Sequence, residues 1–241
     1  MKLKNSLIPN GFTLLNMATG FTTLVLISRA RYVSAMWLIV LAAGFDWLDG
    51  AMARVLHFTS DFGAQLDSLA DLVSFGAAPA FLAYALYFRT YDIIGVCLAM
   101  CPLLFGALRL ARYNVRRTAQ EHQPYFVGLP IPMGALALVA FPLFFFAIGG
   151  EPGHGKYFFP YMLTISLLMV SHVPYRRLPR IEVREIIRRP VRASLVASSV
   201  LLAVIFPSRG LFFISTFYIL SGIIRWMAGV ERERIIKPLT H

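Results

Sequence analysis

At 241 residues, with 58% hydrophobic residues, a mean hydropathy of +0.66 and only 15% charged residues, the chain is too apolar for an ordinary soluble domain, in which about 25% of residues carry charge. It is long enough for about eight membrane spans of ~20 residues each. A net charge of +11 would suit a nucleic-acid binder, but the basic residues lie in loops flanking apolar runs, which favours anionic membrane lipids over nucleic acid as the partner.

In chain order, the segment MKLKNSLIPNG reads as a short interfacial piece with a Pro-Asn-Gly break before the first span. That first apolar run lacks a small-residue cleavage site and reads as a retained span. Spans are predicted at residues 11–28, 33–54, 63–88, 93–113, 130–148, 157–173, 192–206 and 210–227. The fold class is therefore an all-α polytopic membrane helix bundle, with a six-helix core and a C-terminal helix pair over about 192–227. No internal repeat is visible, so residues 1–241 read as a single integral membrane domain. Placing both termini in the cytoplasm leaves only Arg29, Arg31, Arg89, Lys156 and Arg209 of the 23 Lys and Arg outside. The opposite orientation would reverse that bias, so charge sets the topology. Cys97 and Cys101, four apart in one apolar span, have no Cys or His pair nearby to complete a metal site and read as buried, small apolar residues. His122, in a basic loop, reads as a surface residue.

Five of the six aspartates fall between positions 46 and 71, a window holding one basic residue, Arg54. Asp46 and Asp49 are three apart and share a helical face with Gly50 and Ala53; Gly63, Asp67 and Asp71 are spaced by four and share another. Counting inward at about 1.5 Å per residue from Arg54 and Gly63, Asp49 and Asp67 lie about 6–8 Å into their helices and Asp46 and Asp71 about 12 Å. Two helices joined by a short loop would thus bring four carboxylates together at matched depths. Each ionised Asp in a spanning helix costs about 2.5–3.5 kcal/mol, and mutual repulsion adds to this. One arginine cannot neutralise four anions; two divalent cations can, and oxygen ligands select Mg²⁺ or Mn²⁺, with Ca²⁺ also possible. Solvated loop aspartates would need no such periodicity. The small residues Gly50, Ala53 and Gly63 leave room for a ligand to approach the backbone.

The pattern Asp46-x2-Asp49-Gly50-x2-Ala53-Arg54-x8-Gly63-x3-Asp67-x3-Asp71 resembles the signature of the CDP-alcohol phosphotransferase family at every position and gap. Around it, LIPNGFTLLNMATG, LDSLADLVSFGAAPA, ALRLARYNV and FVGLPIPMGA are similar to the phosphatidylserine synthase branch, a resemblance covering roughly residues 7–135. It implies transfer of a phosphatidyl group from CDP-diacylglycerol to a small alcohol, with CMP released. By resemblance Asp46, Asp49 and Asp67 are metal ligands, and Asp71 completes the metal site and serves as general base. Gly50, Ala53, Arg54 and Gly63, with Asp49 and Asp67, would line the nucleotide site, Arg54 close to phosphate. The resemblance also implies a homodimer, and the reading places the site at the cytoplasmic face of a bacterial or archaeal inner membrane.

Serine is the expected acceptor, and its carboxylate calls for a cation. Arg109 and Arg112, three apart near the inner end of the fourth span, are candidates, with positive-inside anchoring as their other use. Asn10, Thr13 and Asn16 share one face of the first span and could contact nucleotide or acceptor, or simply pack helices. Glycerol 3-phosphate, inositol phosphate or choline are the alternative acceptors. A divalent-cation transporter is the alternative from another class, against which the acidic residues gather at one level and do not continue across the membrane.

Overall fold

The computed structural model describes residues 2–55, 60–115, 125–176 and 207–228, the side chains of 2–9, 53–55 and 176 apart. Among these residues the structure is almost wholly helical: α1 (Lys2–Ser28), α2 (Tyr32–Val55), α3 (Asp61–Asp71), α4 (Ala78–Ala83), α5 (Asp92–Ala99), α6 (Cys101–Val115), α7 (Ile131–Gly149), α8 (Gly155–Val170) and α9 (Pro207–Met227). Five stretches are long and apolar enough to cross a membrane: Asn10–Ser28, Tyr32–Met52, Asp61–Val115, Ile131–Gly149 and Pro207–Met227. The protein is an integral membrane protein. Large apolar side chains left on its outside, among them Phe21, Ile93, Phe217 and Met227, form the kind of surface that only a lipid environment tolerates in such density.

Most of the eight expected spans have a counterpart, with three differences. The predicted span 157–173 is α8, only 16 residues long. The predicted span 192–206 lies outside the described residues, as do His122 and the basic loops around 116–124 and 177–191. The expected break at Pro9-Asn10-Gly11 is not a helix end: α1 runs through it, and its stretch Asn10–Ser28 is long and apolar enough to span. Proline removes one backbone donor and strains the preceding turn, but it does not oblige a helix to stop.

The 55-residue stretch Asp61–Val115 holds the third and fourth expected spans. It folds back at a 3₁₀ turn, Arg89–Tyr91, followed by Asp92 at φ 44°. α5 returns against the segment Tyr84–Phe88, and α6 packs on α4 and on Leu72–Ala77. A side chain at Gly95 would collide with the Phe88 carbonyl, so the return is as tight as backbone allows. Between α3 and α4 the helix widens into a π-helical turn, Leu72–Ala77, marked by the Ala78 N–H donating to the Val73 carbonyl five residues back. Such turns insert one extra residue into a helix and occur often at functional sites. A break at Met100 separates α5 from α6, so Cys97 and Cys101 sit on different helices. Cys97 is exposed on the outside of the bundle, contrary to the expected buried thiol, and Cys101 is half-buried.

α7 lies at the centre, apolar on every face and packed against α2, α8 and α9. Its Ile131, Leu138 and Val139 join Met36, Ile39, Phe75, Met162, Ile165 and Met169 in a fully enclosed core. α1 packs against α2 and α3 on the other side of the bundle. Gly20 permits the close approach of α1 to the turn Leu72–Ala77: a Cβ there would lie 2.9 Å from Ser74 Cα. The expectation of an all-helical chain missed one small element. β1 (Tyr125–Val127) pairs antiparallel with β2 (Pro174–Arg176), Phe126 opposite Tyr175, and this ribbon joins the ends of α6, α7 and α8.

Candidate active site

The aspartates meet as their spacing requires. α2 carries Asp46 and Asp49; α3 carries Asp67 and Asp71 and begins at Ser60, whose hydroxyl accepts from the Gly63 N–H at 3.0 Å. This cap starts the helix with acidic Asp61 in its first turn, where the helix dipole favours negative charge. Asp46, Asp49 and Asp67 each bring one carboxylate oxygen within 4.8 Å of the others. Hard divalent cations hold oxygens at about 2.0–2.6 Å, so two ligands of one ion lie at most about 5 Å apart. The triad fits such an ion in both distance and donor chemistry.

Asp71 stands outside that triad. It is buried, and Asn16 of α1 donates from Nδ2 to Asp71 Oδ1 at 3.3 Å. It lies within electrostatic reach of Asp46, Asp67, Arg109 and Asp49. One turn earlier on the same face of α1, Thr13 Oγ1 donates to Asp49 Oδ2 at 3.1 Å. Asn16 is itself locked in place. It is fully buried, and its backbone carbonyl accepts from Ser74 Oγ at 2.8 Å. Because an ionised carboxylate only accepts hydrogen bonds, the Asn16 amide must turn its nitrogen to Asp71; Asn16 Oδ1 is left buried with no partner among the described residues. α1 therefore supplies donors that fix the rotamers of two carboxylates, one inside the triad and one beside it. Asn10, on the same face, stands close to Gly63, where a Cβ would lie 3.3 Å from Asn10 Oδ1. Gly50 is half-buried on α2 beside the triad's aspartates; Ala53 and Arg54 continue the same helix, their side chains outside those described.

The two arginines of α6 part company. Arg109 is buried, with its guanidinium carbon 6.0 Å from the centre of the Tyr113 ring and its Nε without a partner among the described residues. A small recess beside it is lined by Arg109, Arg112, Tyr113, Phe126 and Val127. Arg112 instead ties backbone together. Its Nη1 donates to the Val170 carbonyl at 2.8 Å, and Nη2 reaches the carbonyls of Val127 and Ser171 at 3.4 Å. A cation at the carbonyl end of α8 also meets the negative end of that helix dipole. Gly128, at φ +84°, makes room for it, since a Cβ there would lie 3.1 Å from Arg112 Nη2. Arg112→Ala is expected to lower the thermal midpoint of the purified protein in detergent by about 5 °C or more, the loss of charge-assisted bonds to partly buried carbonyls. A midpoint within a degree of wild type would show that these bonds are not needed.

Sequence reasoning missed the pair that joins α3 to α6: Asn114 Nδ2 donates to Ser68 Oγ at 2.9 Å. Ser68 follows Asp67 but has no fixed place in the motif, and Asn114 closes the run LRLARYN, so neither carries a periodic signal. It also missed Ser74, whose partner is a backbone carbonyl on another helix.

Comparison with known proteins agrees with this geometry. A family model described as CDP-alcohol phosphatidyltransferase matches residues 6–173. A Helicobacter pylori protein named CDP-diacylglycerol–serine O-phosphatidyltransferase is 32% identical over 228 residues, covering 92% of this chain and 91% of that protein. A protein of the same name from Methanocaldococcus jannaschii is 34% identical over 219 residues, 90% of this chain and 92% of its own. One from Bacillus subtilis is 37% identical over 132 residues, 55% and 73% respectively. With the aspartate signature intact from Asp46 to Asp71 and its carboxylates gathered between α1, α2 and α3, the chain belongs to the CDP-alcohol phosphatidyltransferase family, transferases of substituted phosphate groups.

Proposed function

We propose that the protein transfers the phosphatidyl group of CDP-diacylglycerol to the hydroxyl of L-serine, forming phosphatidylserine and CMP. The observation that carries this reading is Asp71: a buried carboxylate, oriented by Asn16, beside the convergent triad and within reach of the buried Arg109. The names of the Helicobacter pylori and Methanocaldococcus jannaschii relatives support serine as the acceptor.

Asp46, Asp49 and Asp67 would hold the divalent cation, Mg²⁺ or Mn²⁺ with Ca²⁺ possible, and Asp71 would complete the set for a second ion. Bound there, the metals supply neutralisation of the pyrophosphate and of the charge that develops on departing CMP. The protein's own groups do the rest. Gly50, Ala53 and Gly63 leave backbone open to the nucleotide, and Arg54 pairs with a phosphate. Asp71 accepts the proton of the serine hydroxyl as its oxygen bonds to the phosphatidyl phosphorus and the bond to CMP breaks. Asn16 and Thr13 hold Asp71 and Asp49 in the geometry this needs, and Arg109 receives the serine carboxylate. The bias of Lys and Arg supports termini and site on the cytoplasmic side, where the diacyl tails stay in lipid while cytidine enters from water. By family resemblance, we read the protein as a homodimer in a bacterial or archaeal inner membrane.

The test is CMP release by purified protein given CDP-diacylglycerol, Mn²⁺ or Mg²⁺, and in turn serine, glycerol 3-phosphate, inositol phosphate and choline. CMP release dependent on serine and abolished by EDTA is expected. Release with another alcohol but not with serine would sink the serine assignment.

A further inference from the structure

The proposed function leaves two buried polar atoms near the acceptor side unexplained. Among the described residues, Arg109 Nε and the Tyr175 hydroxyl have no hydrogen-bond partner, although Tyr175 is only 1% exposed. An orphaned buried donor costs about 1–3 kcal/mol, so each of them asks for an occupant.

Shared neighbours, Phe126 and Tyr218, link the two. Tyr175 stands opposite Phe126 in the β1–β2 ribbon. Residues directly opposite in an antiparallel pair project to the same face, and Phe126 lines the recess beside Arg109. On its other side the Tyr175 ring stacks on Tyr218 of α9, ring centres 5.5 Å apart and planes 27° apart. Tyr218 in turn lies within electrostatic reach of Arg109. The ring is seated with little slack: a Cβ on Gly222 would lie 2.8 Å from Tyr175 Cζ. Burial, and the Tyr218 phenol beside it, push the Tyr175 hydroxyl well above its ordinary range, so at neutral pH it keeps its proton and can donate.

We infer that Tyr175 and Tyr218 complete, with Arg109, a pocket for the carboxylate of the acceptor alcohol, the two phenols acting as specificity-determining groups. A guanidinium and two phenolic hydroxyls are donors suited to a planar anion. Tyr175 and Tyr218 lie beyond residues 6–173, the part matched by the family model, so the pocket is supplied jointly by the shared domain and the segment that follows it. This rests on the reading of serine as the acceptor.

The experiment compares wild type, Tyr175→Phe and Tyr218→Phe as full-length protein in mixed micelles with CDP-diacylglycerol and Mn²⁺, with serine and serinamide as acceptors. Each substitution is expected to raise KM for serine about tenfold, leave KM for CDP-diacylglycerol and kcat within about twofold, and shrink the preference for serine over serinamide. Tyr175→Phe should hold or raise the thermal midpoint, because the hydroxyl it removes has no partner among the described residues. Unchanged KM for serine in both variants, with wild type active on serine, overturns the pocket alone. KM rising equally for both substrates with a falling midpoint also overturns it, since that is what a merely structural role would give. Wild type inactive on serine overturns the function it rests on.

Discussion

Asp71→Asn is expected to cut kcat at least a thousandfold while CDP-diacylglycerol still binds. Loss of a general base typically costs 10²–10⁴ in rate; the exchange keeps the side chain's shape and the triad, and also removes the carboxylate that would complete the set for a second ion. Asparagine has the same shape, and its amide oxygen can still accept from Asn16 Nδ2, which now donates to Asp71 Oδ1 at 3.3 Å. Asp71 also stands apart from the three carboxylates that converge on one another, so the triad is left intact. The measurement pairs CMP release at saturating serine with a binding titration of CDP-diacylglycerol. Near-normal turnover would show that Asp71 is not the base. Turnover restored by high Mn²⁺ would make it a metal ligand before anything else.

Asp67→Asn should act on the metal itself. Removing one of three convergent carboxylates is expected to raise the Mn²⁺ concentration for half-maximal activity about 100-fold or more. The same change should reverse its effect on stability when metal is withdrawn. Asp46, Asp49 and Asp67 hold oxygens within 4.8 Å of one another, and without a cation these like charges repel. In EDTA, Asp67→Asn should therefore melt at a higher temperature than wild type; with saturating Mn²⁺ it should melt lower, because wild type gains more from binding. Identical midpoints for the two proteins in both buffers would argue that the triad holds no cation.

The triad was legible in the sequence because its information is local. Spacings of three and four place Asp46 with Asp49 and Asp67 with Asp71 on helix faces, and a short connection between two spans brings those faces together. The role of α1 was half legible: Asn10, Thr13 and Asn16 share a face by the same rule, but nothing in their spacing says that Thr13 would meet Asp49 and Asn16 would meet Asp71. Arg109 and Arg112 look equivalent in LRLARYN, yet one is enclosed beside Tyr113 and the other spends its donors on the carbonyls of Val127, Val170 and Ser171. Their fates depend on the loop after α8, which is close in space and some sixty residues away in sequence. The ribbon was invisible for a related reason. Three-residue strands such as Tyr125–Val127 and Pro174–Arg176 are too short to show alternation. They pair because Arg112 and Gly128 hold their flanks together. Tyr218 hides in an apolar span whose periodicity distinguishes it from none of its neighbours.

The π-helical turn at Leu72–Ala77 has a consequence for the hairpin as a machine part. An α-helix advances about 100° per residue, so one extra residue resets the angular phase of everything downstream by that amount. Upstream of the turn, Asp67 and Asp71 face the carboxylate cluster; within it, Ser74 reaches α1 and Gly76 fits against Leu103 of α6, where a Cβ would lie 3.2 Å from Leu103 Cδ1. The turn works as a coupling between two shafts set at different angles. It lets one continuous stretch of chain aim its first half at charge and its second at lipid-bundle packing. Deleting a single residue there would barely change composition and hydropathy, would leave the aspartate signature untouched, and would still bring the wrong face of the returning hairpin to bear on the site.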